Sequence, residues 1–159
     1  MYLLNKGSDP PVPVEAIIEP VAISDLKKLT KKDFYFVWKD FLETELWKLR
    51  TTESREILGV MSLTYYPLEY RIEINLIASR RDNTGSDKQY DRVAGCLIGW
   101  ACRLAVKEYA HLAGISLKPK TRLVKHYQEK YGMLSGGQQL YLDGRPLYQL
   151  IETYIDHEP

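Results

Sequence analysis

Apolar and polar positions alternate most clearly between residues 45 and 79. "ELWKLRT" and "REILGVMSLTYY" flank the polar connection "TES", and "EYRIEINLIAS" follows a turn at Pro67 and Leu68. Three such period-two runs predict a meander of antiparallel strands. In the third run Arg71, Glu73 and Asn75 fall on one face, and Ile72, Ile74 and Leu76 on the other. A polar face on a central strand suggests a cleft. A polar loop, "RRDNTGSDKQYD" over 80–91, then separates the meander from apolar residues at helical spacing, Arg92 to Ala110. That is the longest helix the pattern predicts.

Weaker signals fill the remainder. "VEAIIEPV" (Val14 to Val21) reads as a first strand, and "ISDLKKLT" as a short helix with Ser24 as its N-cap. "DFYFVW" puts Phe34, Phe36 and Trp38 on one side if extended; strand and irregular hydrophobic loop both stay open. "LAGISLKP" predicts a strand stopped by Pro119. "KTRLVKHYQEKYG" predicts a helix capped by Thr121 and stopped by Gly132. "GGQQLYLDG" reads as a turn and strand, and "RPLYQLIETYI" as a final helix with Pro146 in its first turn. Residues 1–13, with the proline-rich "SDPPVP", are expected to be an extended N-terminal lead-in to one domain over 14–159. The order β, α, three meandering strands, α, β, α, β, α predicts a mixed α/β (α+β) fold and excludes regular βαβ winding.

Composition narrows the function classes. The 159 residues carry a formal net charge of +1, which does not favour a nucleic-acid partner. No apolar run approaches about 18 residues, so no membrane span is expected, and the absence of a signal-peptide pattern suggests a cytoplasmic protein. Cys96 and Cys102 are six apart on the predicted helix and cannot bridge each other within it; they read as reduced core thiols. His111, His126 and His157 have no metal-ligand spacing, so no metal is expected. Neither a Gly-x-Ser-x-Gly elbow nor a Gly-x-x-x-x-Gly-Lys-Ser/Thr loop is present.

Three segments carry a family resemblance: "IEINLIAS", "RVAGCLIGWA" and "VKHYQEKYGM". Together with the element order, they make the chain, from about Val14 to Ile155, resemble the GNAT superfamily of acyl-CoA-dependent N-acyltransferases. The first segment is similar to that family's central fourth strand. The second resembles its Arg/Gln-x-x-Gly-x-Gly/Ala phosphate turn, with Arg92 and Gly95 matching and Leu97 standing where the pattern has a second small residue. The third resembles its late tyrosine-bearing helix. The family tyrosine lies four residues before the glycine; here Gln128 holds that place, Tyr127 precedes it and Tyr131 adjoins Gly132.

The resemblance implies a largely antiparallel sheet with helices on both faces, acetyl-CoA as cosubstrate and an unidentified amine, of a small molecule or a protein, as acceptor. Pyrophosphate would sit on the helix start formed by Arg92, Val93, Ala94, Gly95, Cys96 and Leu97, where free N–H groups attract anions. Lys118, Lys120 or Lys125 would meet the 3′-phosphate. Main chain near Leu76 and Ile77, at a bulge, would polarise the thioester carbonyl. Glu73 would be the general base, and Tyr127 or Tyr131 the acid for the departing thiolate, Tyr127 reaching its place if the last helical turn is loosened. The other reading left open is a catalytically silent protein of the same fold that binds CoA or a protein partner. A homodimer is compatible with either.

Overall fold

The computed structural model describes residues 1–159, the side chain of Lys39 excepted. Nine strands form one sheet in the order β6-β1-β2-β3-β4-β5-β7-β9-β8. Their ranges are β1 Tyr2–Asn5, β2 Val12–Pro20, β3 Glu45–Thr51, β4 Gly59–Tyr66, β5 Arg71–Ser79, β6 Tyr90–Asp91, β7 Gly114–Leu117, β8 Leu134–Gly136 and β9 Gln139–Asp143. Only β5 and β7 run parallel; the other neighbours are antiparallel. Four α-helices accompany them: α1 Lys31–Phe34, α2 Val93–Tyr109, α3 Val124–Tyr131 and α4 Gly144–Ile151.

The meander forms where the alternation placed it, and its two faces bury separate cores. One core joins Met61, Leu63, Ile72 and Ile74 to α2, α3 and α4. The other joins Leu46, Val60 and Ala78 to Leu29, Phe34 and Trp38 from the segment between β2 and β3. Helices therefore flank the sheet on both faces, as expected.

Several local expectations are corrected. The first residues include strand β1, which pairs with both β2 and β6 and so joins them to the sheet. The polar loop over 80–91 contains a 3-10 turn, Arg81–Asn83, as well as β6. "ISDLKKLT" forms a 3-10 helix over Ile23–Lys28 that begins at Ala22; Ser24 is not its cap, and Asp25 Oδ2 accepts the Ala22 N–H at 2.8 Å. Thr121 opens a 3-10 turn over Thr121–Leu123 rather than capping α3. "DFYFVW" is neither strand nor loop throughout. Phe34 ends α1, Trp38 opens a 3-10 turn, and Trp38 Nε1 donates to Phe34 O at 3.2 Å. The spacing of four between these two buried rings prevails over the alternation of two, because both must reach the same core.

Asp25 gives this segment its main polar anchor. It is 7% exposed and accepts from Lys48 Nζ of β3 at 2.5 Å. Desolvation pushes its carboxyl upward, but the Lys48 ammonium and the Ala22 N–H outweigh it and hold the group below the usual carboxylate range. A depressed folded-state pKa contributes stability above the unfolded value, and this is lost as pH falls through the folded pKa. Asp25→Asn should therefore lower stability at pH 7 by about 1–3 kcal/mol, since it leaves the mostly buried Lys48 ammonium with Glu19 as its remaining partner, 3.5 Å away. Urea titrations at pH 7 and at pH 2 check this: the deficit should shrink at the lower pH, and an equal deficit at both would rule out the charge as its cause.

Candidate active site

The central feature is a break in the sheet. β4 and β5 pair in register from Tyr66↔Arg71 to Leu63↔Ile74, and the next pair is Ser62↔Leu76. Asn75 is thus an extra residue, a bulge. On its other edge β5 pairs with β7 only from Arg71↔Gly114 to Ile74↔Leu117. Beyond Ile74 the pairing stops because β7 ends at Leu117, and among the described residues no strand takes over that edge, which leaves a split in the sheet. The Arg80 N–H donates to Leu58 O beside β4 at 2.8 Å. Counting back in steps of two, Ala78 and Leu76 also face β4, which leaves the main-chain groups of Ile77 and Ser79 turned to the open edge. Of the two positions expected near the thioester, Ile77 is the one whose N–H faces the split.

The bulge also corrects the face assignment. Leu76 packs against the Phe34–Trp38 core, whereas Ile72 and Ile74 lie in the other. Asn75 and Leu76 therefore turn to the same face. Asn75 Nδ2 donates to Ser62 Oγ at 3.1 Å and to Thr64 Oγ1 at 2.8 Å, and Ser62 Oγ lies 2.7 Å from Thr44 Oγ1.

Glu73 is on that polar face, two residues before the bulge. Its side chain is 15% exposed; Oε1 is 3.8 Å from Arg71 Nη1, and Oε2 accepts from Tyr66 Oη at 3.4 Å. Arg71 is held in turn by Ser116 Oγ at 2.7 Å and by Glu69, and its guanidinium lies over the Tyr66 ring. The carboxylate thus has a fixed orientation and neighbours from β4 and β5. Beside the split, Arg81 follows β5 and lies over the Tyr35 ring, while Lys120 follows β7 and lies over Phe36. Lys125, in contrast, is on α3 and pairs with Glu129.

The helix start at Arg92 has a different construction from the one expected. Arg92 is the N-cap of α2 with φ 80°, and its N–H is met by Asp91 Oδ1 at 2.9 Å. Cys96 N–H makes the first intrahelical bond, to Arg92 O, so helix geometry leaves the N–H groups of Val93, Ala94 and Gly95 without an intrahelical acceptor. The Arg92 guanidinium, however, turns to the chain ends. It donates to Tyr2 O at 3.1 Å and Thr153 O at 2.7 Å and lies over the rings of Tyr2 and Tyr154. Asp91, salt-bridged to Lys88, stays below the usual carboxylate range because Lys88 and the Arg92 N–H outweigh the desolvation that pushes it up.

Gly95 is covered by Tyr154. A Cβ at position 95 would lie 2.1 Å from Tyr154 Cε1, so packing alone requires the glycine. Leu97, the departure from the small-residue pattern, is completely buried, and Gly59 on β4 makes room for it: a Cβ there would lie 2.9 Å from Leu97 Cδ1. Cys96 and Cys102 are free and buried. Burial pushes the Cys96 thiol up to about 11 and Cys102 higher still, which leaves both protonated and unsuited to nucleophilic work.

Tyr127 and Tyr131 are both buried on α3, with ring centroids 5.8 Å apart; Tyr131 lies 6.1 Å from Tyr154. Burial raises the Tyr127 phenol, and burial together with Tyr154 and Tyr127 raises Tyr131 further. The last turn of α3 is not loosened: Gly132 adopts φ 70° and its N–H bonds Gln128 O at 3.1 Å, an ordinary left-handed stop. The site residues not foreseen from sequence are Asn75, Tyr154, Tyr2 and Gly59. Gly95 and Gly99, one turn apart, were the available sign of a close helix contact, and both face the C-terminal segment.

Among the described residues no cluster of His, Cys, Asp and Glu is arranged to hold a metal, and no helix is long and apolar enough to cross a membrane. No protein-family model matches the sequence, and no curated protein matches it. Solved structures do. Spermidine N-acetyltransferase from Vibrio cholerae, in complex with CoA and spermine, aligns with a TM-score of 0.63 at 12% identity over 84% of this chain and 98% of its own. A putative streptothricin acetyltransferase from Bacillus anthracis in complex with acetyl coenzyme A gives 0.61 at 13% identity, over 82% and 98%. An acetyltransferase from Bacillus subtilis in complex with CoA gives 0.54 at 16% identity, over 82% and 99%. The nine-stranded sheet with helices on both faces is thus the fold of the GNAT acetyltransferases.

Proposed function

We propose that this chain transfers an acetyl group from acetyl-CoA to an amine. The observation that carries the reading is the end of the β5–β7 pairing at Ile74, beside the bulge at Asn75, which leaves the Ile77 main chain open to the split. A thioester laid along that edge would receive a hydrogen bond on its carbonyl oxygen from the Ile77 N–H as charge builds there. The similar structures solved with CoA or acetyl-CoA agree with this choice of donor. Arg81 and Lys120, following the two separated strands, supply positive charge for phosphates, and the first-turn amides of α2 supply donors. Arg92 contributes to this seat by shaping the turn, since its guanidinium is engaged with the chain ends.

Glu73 takes the amine proton, directly or through water. The nitrogen attacks the thioester carbon, the C–S bond breaks, and the thiolate leaves with a proton from a tyrosine. Tyr127 is the better acid of the two. Its phenol is kept protonated by burial alone, while Tyr131 packs against Tyr154 at the start of α2. The acceptor is a primary amine of a small molecule or a protein, and the work is done in the cytoplasm.

Thermal shift with acetyl-CoA and with free CoA tests the binding step, and thiol release across a panel of amines tests the chemistry. Both ligands should raise the melting temperature. Tyr127→Phe should lower turnover roughly a hundredfold with acetyl-CoA binding intact, and Tyr131→Phe much less. No stabilisation by either ligand at millimolar concentration would remove the reading. Stabilisation by both without turnover of any amine would favour a CoA-binding protein that has lost its chemistry.

A further inference from the structure

Asn75 occupies the extra position of the bulge, and its carboxamide is the only side chain there that ties the two strands together among the described hydrogen bonds. Resting on the acyltransferase reading above, we propose that Asn75 is a positioning residue. Its carboxamide clamps the β5 bulge so that the Ile77 N–H points into the split, and it ties that donor to the Phe41–Thr44 segment that covers the same face.

The hydrogen bonds have a definite direction. Thr44 Oγ1 donates to Phe41 O at 2.6 Å, so toward Ser62 it acts as acceptor. The Ser62 hydroxyl therefore donates to Thr44 and accepts from Asn75 Nδ2, while the second Asn75 N–H goes to Thr64 Oγ1. Both amide protons are used, and both partners are on β4, on either side of the register shift. Ser62 is completely buried, so its hydroxyl has no solvent to turn to if Asn75 is lost. A bulge is a local choice among nearly equal backbone paths. Two bonds from one planar group to residues 62 and 64 hold the inserted residue in one of them. The next residues inherit that placement, and Ile77 is two residues along.

An oxyanion donor is effective only if its direction is fixed before reaction. The clamp should therefore matter for turnover more than for capture of the cosubstrate, whose phosphates lie elsewhere. Asparagine is suited to this as leucine and aspartate are not. Leucine has the shape without the donors. Aspartate offers two acceptors to two hydroxyls, and Ser62 would have to abandon Thr44 to satisfy one.

The test uses the full chain with Asn75→Leu, Asn75→Asp and, on the partner side, Thr64→Val. Three quantities are recorded: the dissociation constant for free CoA by calorimetry, kcat and KM with acetyl-CoA and the best amine, and amide hydrogen exchange. Expected are folded variants with a CoA dissociation constant within about threefold of wild type, kcat down roughly tenfold to a hundredfold for both Asn75 variants, and a smaller loss for Thr64→Val. Exchange should quicken at Leu76 and Ala78, which face β4, and not at Ile72. Unchanged kcat in folded Asn75→Leu overturns the proposal, as does unaltered protection at Leu76 and Ala78. A general fall in CoA affinity and melting temperature with kcat preserved also overturns it, since that is what a merely structural residue would do. Wild-type protein that binds no acetyl-CoA removes the function on which the proposal rests, and shows itself before any variant is made.

Discussion

Gly95→Ala should destabilise the protein by roughly 2 kcal/mol or more, and it should do so whether or not CoA is present. In an open helix the same change would stabilise by about 1 kcal/mol, because alanine is the better helix former. The sign reverses here because the added methyl would lie 2.1 Å from one ring carbon of Tyr154 and 2.5 Å from another. Overpacking of this kind typically costs about 1–3 kcal/mol once neighbours give way. Tyr154 has little room to give. Its ring is also against Arg92 and Tyr131, and the main-chain oxygens of Thr153 and Tyr154 accept from Arg92 and Cys96. The measurement is a double-mutant cycle by urea unfolding. Gly95→Ala in a Tyr154→Ala background should cost far less than in wild type, with a coupling above about 1 kcal/mol. An unshifted unfolding midpoint in Gly95→Ala would mean that Tyr154 does not cover this turn, and the phosphate explanation of the glycine would regain its ground.

The contrast between Gly95 and Asn75 shows what the sequence could disclose. The meander, the long helix and the order of elements were legible because a half-buried strand and a packed helix leave periods of 2 and 3.6 in the chain. A bulge leaves no period. It appears as an ordinary alternation, "RIEINLIA", whose phase slips at Asn75 only because β4 and β5 pair with unequal lengths. Alternation alone therefore puts Leu76 on the wrong face. The Arg-x-x-Gly turn failed in the opposite way: the motif was visible, but the partners of both its named residues come from the chain ends. Tyr2 and Thr153 hold Arg92 across separations of 90 and 61 residues, and no local pattern reports that. Strand β1 has four residues and β6 has two, too few to show alternation above chance. The tyrosines lie between these cases. Their helix was legible, but the missing fourth-residue spacing before Gly132 is not repaired by the backbone, which ends the helix regularly.

Glu73→Gln should lower turnover of the best amine by roughly a hundredfold or more, the loss usual for a removed general base, with CoA affinity nearly unchanged. Glutamine keeps the shape and can still accept from Tyr66 Oη, so the packing on β5 should survive. What it loses is the capacity to take a proton and the charge opposite Arg71, 3.8 Å away. These two losses can be separated. Arg71 also holds Glu69 and Ser116, so its own position does not depend on Glu73. If Glu73 serves only as a counter-charge, Arg71→Met should relieve the Glu73→Gln defect, because the unmatched guanidinium would be gone. If Glu73 accepts the proton, the double variant should stay as slow as Glu73→Gln alone. A wild-type rate in Glu73→Gln would return Glu73 to the structural role its neighbours already give it. The proton would then have to leave through water held along the open edge at Ile77.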